Sequence, residues 1–514
     1  MNTLRKILIV VAMVLAVTVF AAVLRHYQLR FAVARYVAQL KARGEPLDLA
    51  AILPSPTPPD QNGAPDLLKG AALLDPSWNA LGTNPPSPML MVAPGKAMSS
   101  WSQPNIRNSA GTNSWAEFEA AMARNDAGLR LIAQMVDFPT LDFNLNYRGG
   151  FSMVNNDHLA AMKRSAQALS AEAMDDLHHG NPAAATKNIS TMLALIDCST
   201  NDRLVISELV RMAIAQMTVP VTWEALQATN FTDDQLVTLQ RQWDGLEFIQ
   251  PYENALQMEN ILGENDLARW RGSSSEVHDY LSQGPNGKPT REDSMYDELK
   301  TKIEIFRWQY WWSYPDELRR LKITELFVDT ARSLKTNYAF LPAIHQQTEQ
   351  LPKLLGTSGK PPTPENRDSV DTHFILSSST ASLGRILDRV MRVEVVKQTV
   401  VTALALKRYQ VKHGNYPSDL NALVPEFVPA VALDPADGQP LRYRRNSDGT
   451  FLLYSVGENG ADNGGDPTLA RGADVKNLYW LNPRAMDWVW PQPATEDEIQ
   501  AYYQKLSTKS NSGH

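Results

Sequence analysis

Eighteen consecutive uncharged residues, Ile7 to Leu24, follow Arg5 and Lys6 close to the N-terminus. As a helix this run spans about 27 Å, near the ~30 Å of a bilayer core. Inside lipid the backbone must satisfy its own amides, so a segment of this kind can only be helical. A secretory signal shares the charged start and apolar middle, and Val19 and Ala21 offer a weak cleavage site. The length of the run favours an uncleaved anchor, residues 1–24. Arg25, Arg30, Arg35, Lys41 and Arg43 come next, before the first acid at Glu45. By the positive-inside count they place the following chain on the cytoplasmic side. The far end of the chain argues the other way, as set out below.

The remainder reads as a water-soluble body. Mean hydropathy is −0.30, which excludes a many-span membrane protein. Net charge is −7, which argues against a nucleic-acid binder relying on a general positive field. The lone cysteine, Cys198, allows no internal disulfide and no cysteine-based zinc site.

After the anchor, Leu29, Val33, Tyr36, Val37 and Leu40 recur at helical spacing, predicting an amphipathic stalk over 25–45. It either lies on anionic lipid or continues out of the bilayer and packs on its own domain. Residues 46–110 hold 12 of the 33 prolines and read as an extended strap with a short helix near Asp66–Leu74. Residues 111–354 read as a helical domain. Ser114 with Glu117, and Thr232 with Gln235, form capping boxes. The run Ile206, Val210, Ala213, Met217 meets Pro220, where a helix is expected to end. Gly180-Asn181-Pro182 joins two helices rich in small residues, a pair that resembles a tetratricopeptide-type hairpin without any 34-residue period. Residues 355–370 are the best linker. A long helix is expected from about Asp371 to His413, opening an α+β domain over 371–480. Residues 481–514 form a tail with a short helix.

Two clusters invite chemistry. Phe306 to Tyr314 holds six aromatics in nine residues. Exposed, they would stack on sugar rings or sit at a membrane surface; buried, Trp308, Trp311 and Trp312 would fill a core. Asp175, Asp176, His178 and His179 share a helix end where one face could hold a metal, with no third ligand in view. Cys198 on an apolar face reads as a buried, inert thiol. No phosphate loop, dinucleotide fingerprint, Gly-x-Ser-x-Gly or His-Glu-x-x-His occurs.

The last third carries a different signature. A helix ends near Gln410. A turn at His413-Gly414-Asn415-Tyr416-Pro417, two strand-like runs at Leu441–Arg444 and Phe451–Val456, and the loop Gly457-Glu458-Asn459-Gly460-Ala461-Asp462-Asn463-Gly464-Gly465-Asp466 follow. Glycines interleaved with oxygen side chains suit a hard cation, because the backbone must curl to aim its oxygens inward. The order "RYQVKHGNYPSDLNALV", "DPADGQPLRYR", "LLYSVGENG", "GADV" resembles the globular part of the major pseudopilin of type II secretion, over residues 392–475. The resemblance implies a small antiparallel sheet and a calcium loop, with Asn459 at an Asp position of the family, Asp474 in its Ala-Asp pair, and Asp462 and Asp466 between. The prepilin Gly-Phe site and the glutamate of the pseudopilin helix are missing from Met1–Leu24, so a pilus subunit is not expected. The whole chain also resembles a group of single-anchor bacterial envelope proteins that brings no activity with it.

The expected protein is therefore mainly α: an anchor, a tetratricopeptide-like helical domain, and a pseudopilin-like α+β module able to bind Ca²⁺ through Asn459, Asp462, Asp466 and Asp474. Its expected partners are the membrane, through residues 7–24, and another protein, not nucleic acid. The resemblances place the bulk outside the inner membrane. A binding or scaffold role is expected. The rival is an envelope hydrolase acting on polysaccharide through the Trp-rich helix and two carboxylates, which would require the three indoles to line one open cleft.

Overall fold

The computed structural model describes residues 2–75, 87–108, 111–151, 154–282, 295–356, 374–470 and 479–511. The apolar run is the first half of one helix, α1 (Asn2–Ala42), which contains neither Gly nor Pro. It ends at Gly44, whose φ of +82° suits glycine. From Val10 to Leu24 its large apolar side chains are exposed. It is long and apolar enough to cross a membrane.

The proline-rich strap lies against the body. It contains α2 (Leu49–Ile52), capped by Asp48, and α3 (Ala64–Leu73), with Pro65 in the first turn. Two hairpins follow, β1 (Leu90–Ala93) with β2 (Lys96–Met98) and β3 (Ile106–Asn108) with β4 (Gly111–Asn113).

From Ser114 to residue 350 the described chain is mostly helical, as its 3.6-residue spacing predicts. α4 (Trp115–Ala123) starts at the Ser114 capping box. α5 (Asp126–Gln134) crosses α3 at paired glycines. A Cβ on Gly70 would lie 2.8 Å from the Gly128 carbonyl, and one on Gly128 would lie 2.6 Å from that of Gly70. α6 (Asp157–His178) and α7 (Pro182–Asp197) form an antiparallel hairpin, with Asn181 capping α7. α8 (Val205–Gln227) passes through the middle of the bundle. It does not end at Pro220 but continues for seven residues. Val221, Trp223 and Leu226 are buried by that continuation. At ~1.5–3 kcal/mol per large side chain this outweighs the roughly 3 kcal/mol cost of an internal proline.

α9 (Asp233–Gly245) begins at the Thr232 capping box, and α10 (Ile249–Gly272) and α11 (Ser274–Ser282) follow. α12 (Met295–Arg307) runs without a break through a π turn at Trp308–Trp312 into α13 (Ser313–Leu334), and α14 (Phe340–Leu355) closes the region. The second half of α1 packs along α13. Val33 and Leu40 are buried with Leu321, and Glu325 receives both the Tyr36 hydroxyl and the Arg43 guanidinium. The stalk is thus held by the body. The linker expected at 355–370 lies outside the described residues beyond Gly356.

The helix expected from Asp371 is interrupted. α15 (Ile375–Ala381) and α16 (Ile386–His413) are separated by a 3₁₀ turn at Ser382–Arg385. Gly384 sits there because its backbone meets the Phe327 ring, and its carbonyl accepts from Gln347. α16 packs on α8 and α9 and is buried over most of its length. β5 (Arg442–Arg445), β6 (Phe451–Ser455) and β7 (Trp488–Val489) make a three-stranded antiparallel sheet. β8 (Gln492–Pro493) adds in parallel to β2. α17 (Glu496–Asn511) rests Ile499 on Val92 and Met98. A single apolar core runs from Ala64 to Trp490.

The strap is latched to α8 by one fully buried carboxylate. Glu224 accepts from the Met89 amide (2.7 Å), the Ser100 amide (2.9 Å) and the Ser99 hydroxyl (3.0 Å). Burial pushes its carboxyl up to about 7, against the lowering effect of those donors. The folded state therefore holds this proton more tightly than the unfolded chain. The contribution is full below the unfolded value of 4.5 and is lost as pH rises through the folded one. Each tenfold difference in proton affinity between the two states is worth about 1.4 kcal/mol. The stability of the native protein minus that of Glu224→Gln should therefore fall by roughly 3 kcal/mol between about pH 4 and about pH 8. Urea denaturation of both proteins across that range is the measurement, and a pH-independent difference would refute this role.

Candidate functional site

The acidic C-terminal loop is built from two buried aspartates outside it. Asp434 is fully buried just before β5. It accepts from the Ala436 amide (3.0 Å), the Val456 amide (3.0 Å), the Ser455 hydroxyl (2.8 Å) and Arg442 Nη1 (2.9 Å). Asp487, fully buried ahead of β7, accepts from the amides of Asn463 (3.3 Å), Gly465 (2.8 Å) and Asp466 (3.1 Å). Burial raises both carboxyls against the pull of these donors. Gly465, at φ +81°, has no room for a side chain, since a Cβ would lie 2.5 Å from Leu452.

The candidate ligands sit on this frame. Asp462 Oδ1 accepts from the Tyr454 hydroxyl and the Gly464 amide, both at 2.9 Å, and Oδ2 lies 3.8 Å from Arg442 Nε. The Gly464 amide and the Tyr454 hydroxyl hold its carboxyl below the usual range. Asp466 Oδ1 accepts from the Thr468 amide at 2.9 Å. Asn459 accepts from the Ala461 amide and donates to the Met486 carbonyl, each at 2.8 Å. These three groups thus already cap the loop's own backbone. Among the described residues no three carboxylate or imidazole ligand atoms of this loop lie within 4.8 Å of one another. Asp474 lies outside the described residues. Sequence reasoning missed Asp434 and Asp487, which stand on either side of the loop, one before β5 and one just ahead of β7. Only the apolar neighbours of Asp487 (Met486 and Trp488) hinted that it would be buried.

Such a cluster does form at the other helix end. Glu119, Asp175 and His179 each offer a ligand atom within 4.8 Å of the others. Glu119 of α4 is the third group that the sequence did not reveal. His179 Nε2 lies 3.2 Å from Glu119 Oε1, and Nδ1 lies 3.0 Å from the Asp175 carbonyl. That carbonyl, then the surrounding carboxylates, raise the imidazole's affinity for its proton. A protonated His179 at the end of α6 also complements the helix dipole, so the geometry is that of an ion-paired helix terminus. Beside it, burial and mutual repulsion push Glu172 up to about 7 and Asp176 up to about 6.

A buried Ser, His and Asp also meet, but not as a catalytic triad. His158 Nε2 (2.7 Å) and the Ser207 hydroxyl (2.9 Å) both bond Asp202 Oδ2. In a triad the imidazole stands between acid and serine, whereas here the carboxylate does. The three indoles do not share an open cleft either. Trp308 is fully buried and donates to Asp316 (3.0 Å), Trp312 is half-buried near Phe374, and Trp311 is exposed. Cys198 is half-buried, and burial pushes its thiol up to about 11, as expected for an inert cysteine.

Removing the acceptor of three buried or half-buried amides should release the acidic loop. Asp487→Ala is expected to cost about 3 kcal/mol and to speed amide hydrogen exchange at Gly465 and Asp466, while the exchange of α8 stays slow. Unchanged exchange at those two amides would show that the loop does not depend on Asp487. Compared with models of known protein families, with curated proteins and with solved structures, the chain matches none.

Proposed function

We propose that this chain is a membrane-anchored binding or scaffold protein whose body is carried at a fixed height above the inner membrane on its extracytoplasmic side. The observation that carries the reading is the continuity of α1. One unbroken helix is exposed through its apolar half and clamped to α13 through its other half, by Val33, Leu40, Tyr36 and Arg43. A flexible tether would only confine a body, whereas a clamped helix also orients it. Orientation matters when a surface must meet a partner standing in the same membrane. The antiparallel pair α6–α7, with its tetratricopeptide-like turn, is the surface assigned to a protein partner.

The pseudopilin-like resemblance of residues 392–475 adds a calcium-responsive element at the loop 457–474. The support is chemical: Asp462, Asp466, Asp474, Asn459 and nearby carbonyls could together approach the 6–8 oxygens that Ca²⁺ takes. Millimolar calcium outside the cell suits a loop in which Asn459 stands at a charged position of the family.

Two experiments test the reading. Protease added to spheroplasts should digest the body of the native chain, and protection until lysis would reverse the topology. Thermal unfolding of the full chain in detergent should show a higher midpoint in calcium than in chelator. At a hundredfold excess over Kd the gain is about 2.7 kcal/mol. Equal midpoints, unaltered by Asp466→Ala, would remove the ion from the proposal.

A further inference from the structure

Beside the anchor, α12 and the π turn expose a row of large apolar side chains. Leu299 is 58% exposed, Ile303 50%, Phe306 51%, Tyr310 57% and Trp311 45%. Positions 299, 303, 306 and 310 are four, three and four residues apart, which places them on one helix face. The π turn brings a fifth residue onto that face. Its extra residue lets the Phe306 ring meet both Tyr310 (4.6 Å between centroids) and Trp311 (5.8 Å). The opposite side of the same stretch, Ile305 and Trp308, is buried with Trp270 and Leu267. The exposed row is therefore a second apolar face on a helix whose core face is already filled.

Its place relative to α1 says what covers it. His26 stands two residues after the apolar run, about 3 Å along the helix axis from Leu24. The Nδ1 atom of His26 lies 3.1 Å from the Tyr310 carbonyl, and its ring lies 5.1 Å from that of Tyr314. Tyr36 and Glu325 then meet further along, so α1 and α13 run parallel and leave the apolar segment together. Tyr310 and Trp311 thus lie at the level where an anchor through Leu24 would leave the hydrocarbon. Tyr27 (61% exposed) and Phe31 (65% exposed) lie at the same end of α1. Trp and Tyr gather at this level of a bilayer because their rings are apolar and their N–H and O–H groups reach water. Arg25, Arg30 and Arg307, all exposed, add positive charge suited to anionic headgroups.

From this we propose that this face is a second contact of the body with the membrane beside α1, with Tyr310 and Trp311 at the lipid interface and Phe306, Ile303 and Leu299 reaching further into lipid. The inference rests on the anchor reading and adds to it. The clamp fixes the angle between the body and α1, and a second contact on one side of α1 limits the tilt of both against the bilayer.

The test uses the full chain, with Cys198→Ser, in vesicles of phosphatidylcholine and phosphatidylglycerol. Single nitroxide labels at Val14→Cys, Phe306→Cys, Leu299→Cys and Val411→Cys are read for collision with oxygen against a water-soluble nickel chelate. Val411 is exposed and far along α16. The oxygen-to-nickel ratio at Phe306 and Leu299 should exceed that at Val411 several-fold, with Val14 higher still. A water-like ratio at both 299 and 306, with Val14 in the bilayer, overturns the second contact and leaves the anchor standing. A water-like ratio at Val14 as well overturns both. Shielding of 299 and 306 from both reagents means that protein covers the face, which also overturns the proposal. Two label sites keep the result readable if Phe306→Cys alone disturbs folding.

Discussion

A helix buried on every side must find a partner for each charge it carries, and α8 carries three buried ones, Glu208, Arg211 and Glu224. Arg211 and Glu208 are fully buried and paired at 2.5 Å. Arg211 also donates to the Ile196 carbonyl at the end of α7 and to the Glu247 carbonyl before α10. Breaking such a pair from one side leaves an uncompensated buried charge, at ~3–5 kcal/mol. Its partners therefore fix where α7 ends and where α10 begins. Further along, Glu224 gathers the strap through Met89, Ser99 and Ser100, and Trp223 donates to the Pro491 carbonyl. Segments from near the two ends of the body thus meet on two adjacent side chains of one helix. The strand pair β2–β8 follows from that meeting.

The features legible in the sequence were those whose causes are local. The capping boxes at Ser114 and Thr232, the Gly180 turn and the helical spacing of 114–350 depend on neighbours within a few residues. All of them appear where the pattern places them. Reading failed where a distant partner changed the local balance. Pro220 reads as a terminator, yet burial in the bundle centre carries α8 past it. Residues 371–413 read as one helix, yet the approach of Phe327 to Gly384 tightens the chain into a 3₁₀ turn. Residues 481–514 read as a tail with a short helix. They supply β7, β8 and the fully buried Trp488 to two sheets.

The candidate site shows the same division. A Gly-rich loop dotted with Asn and Asp is visible in any reading of the sequence, and its exposed acids draw the eye. The acids that shape it are Asp434 and Asp487, one before the hairpin and one after the loop. An exposed carboxylate is hydrated whether or not the loop is ordered. A buried one survives only if the fold supplies donors, so it becomes the fixed point around which amides arrange themselves. The sequence lists oxygens without telling which are buried, and burial decides which of them organise the loop and which only cap its exposed backbone.

Continuity of α1 couples these parts to its apolar segment. A helix that passes from an exposed apolar segment into a packed groove transmits its direction, because bending it at Arg25–Gln28 would cost backbone hydrogen bonds with no glycine or proline there to absorb the change. Tyr36 of α1 and Arg43, just past its end and two turns on, meet the same carboxylate, Glu325, which sets the rotation of α1 about its own axis as well as its contact with α13. Glu45, just past the end of α1, pairs with Arg332 near the end of α13, so the two helices are tied at their far ends too. Arg332 in turn holds Glu253 of α10 at 2.7 Å. The contacts from the apolar segment to the core are therefore packed helices and partly exposed ion pairs, with no glycine or proline hinge between that segment and the bundle.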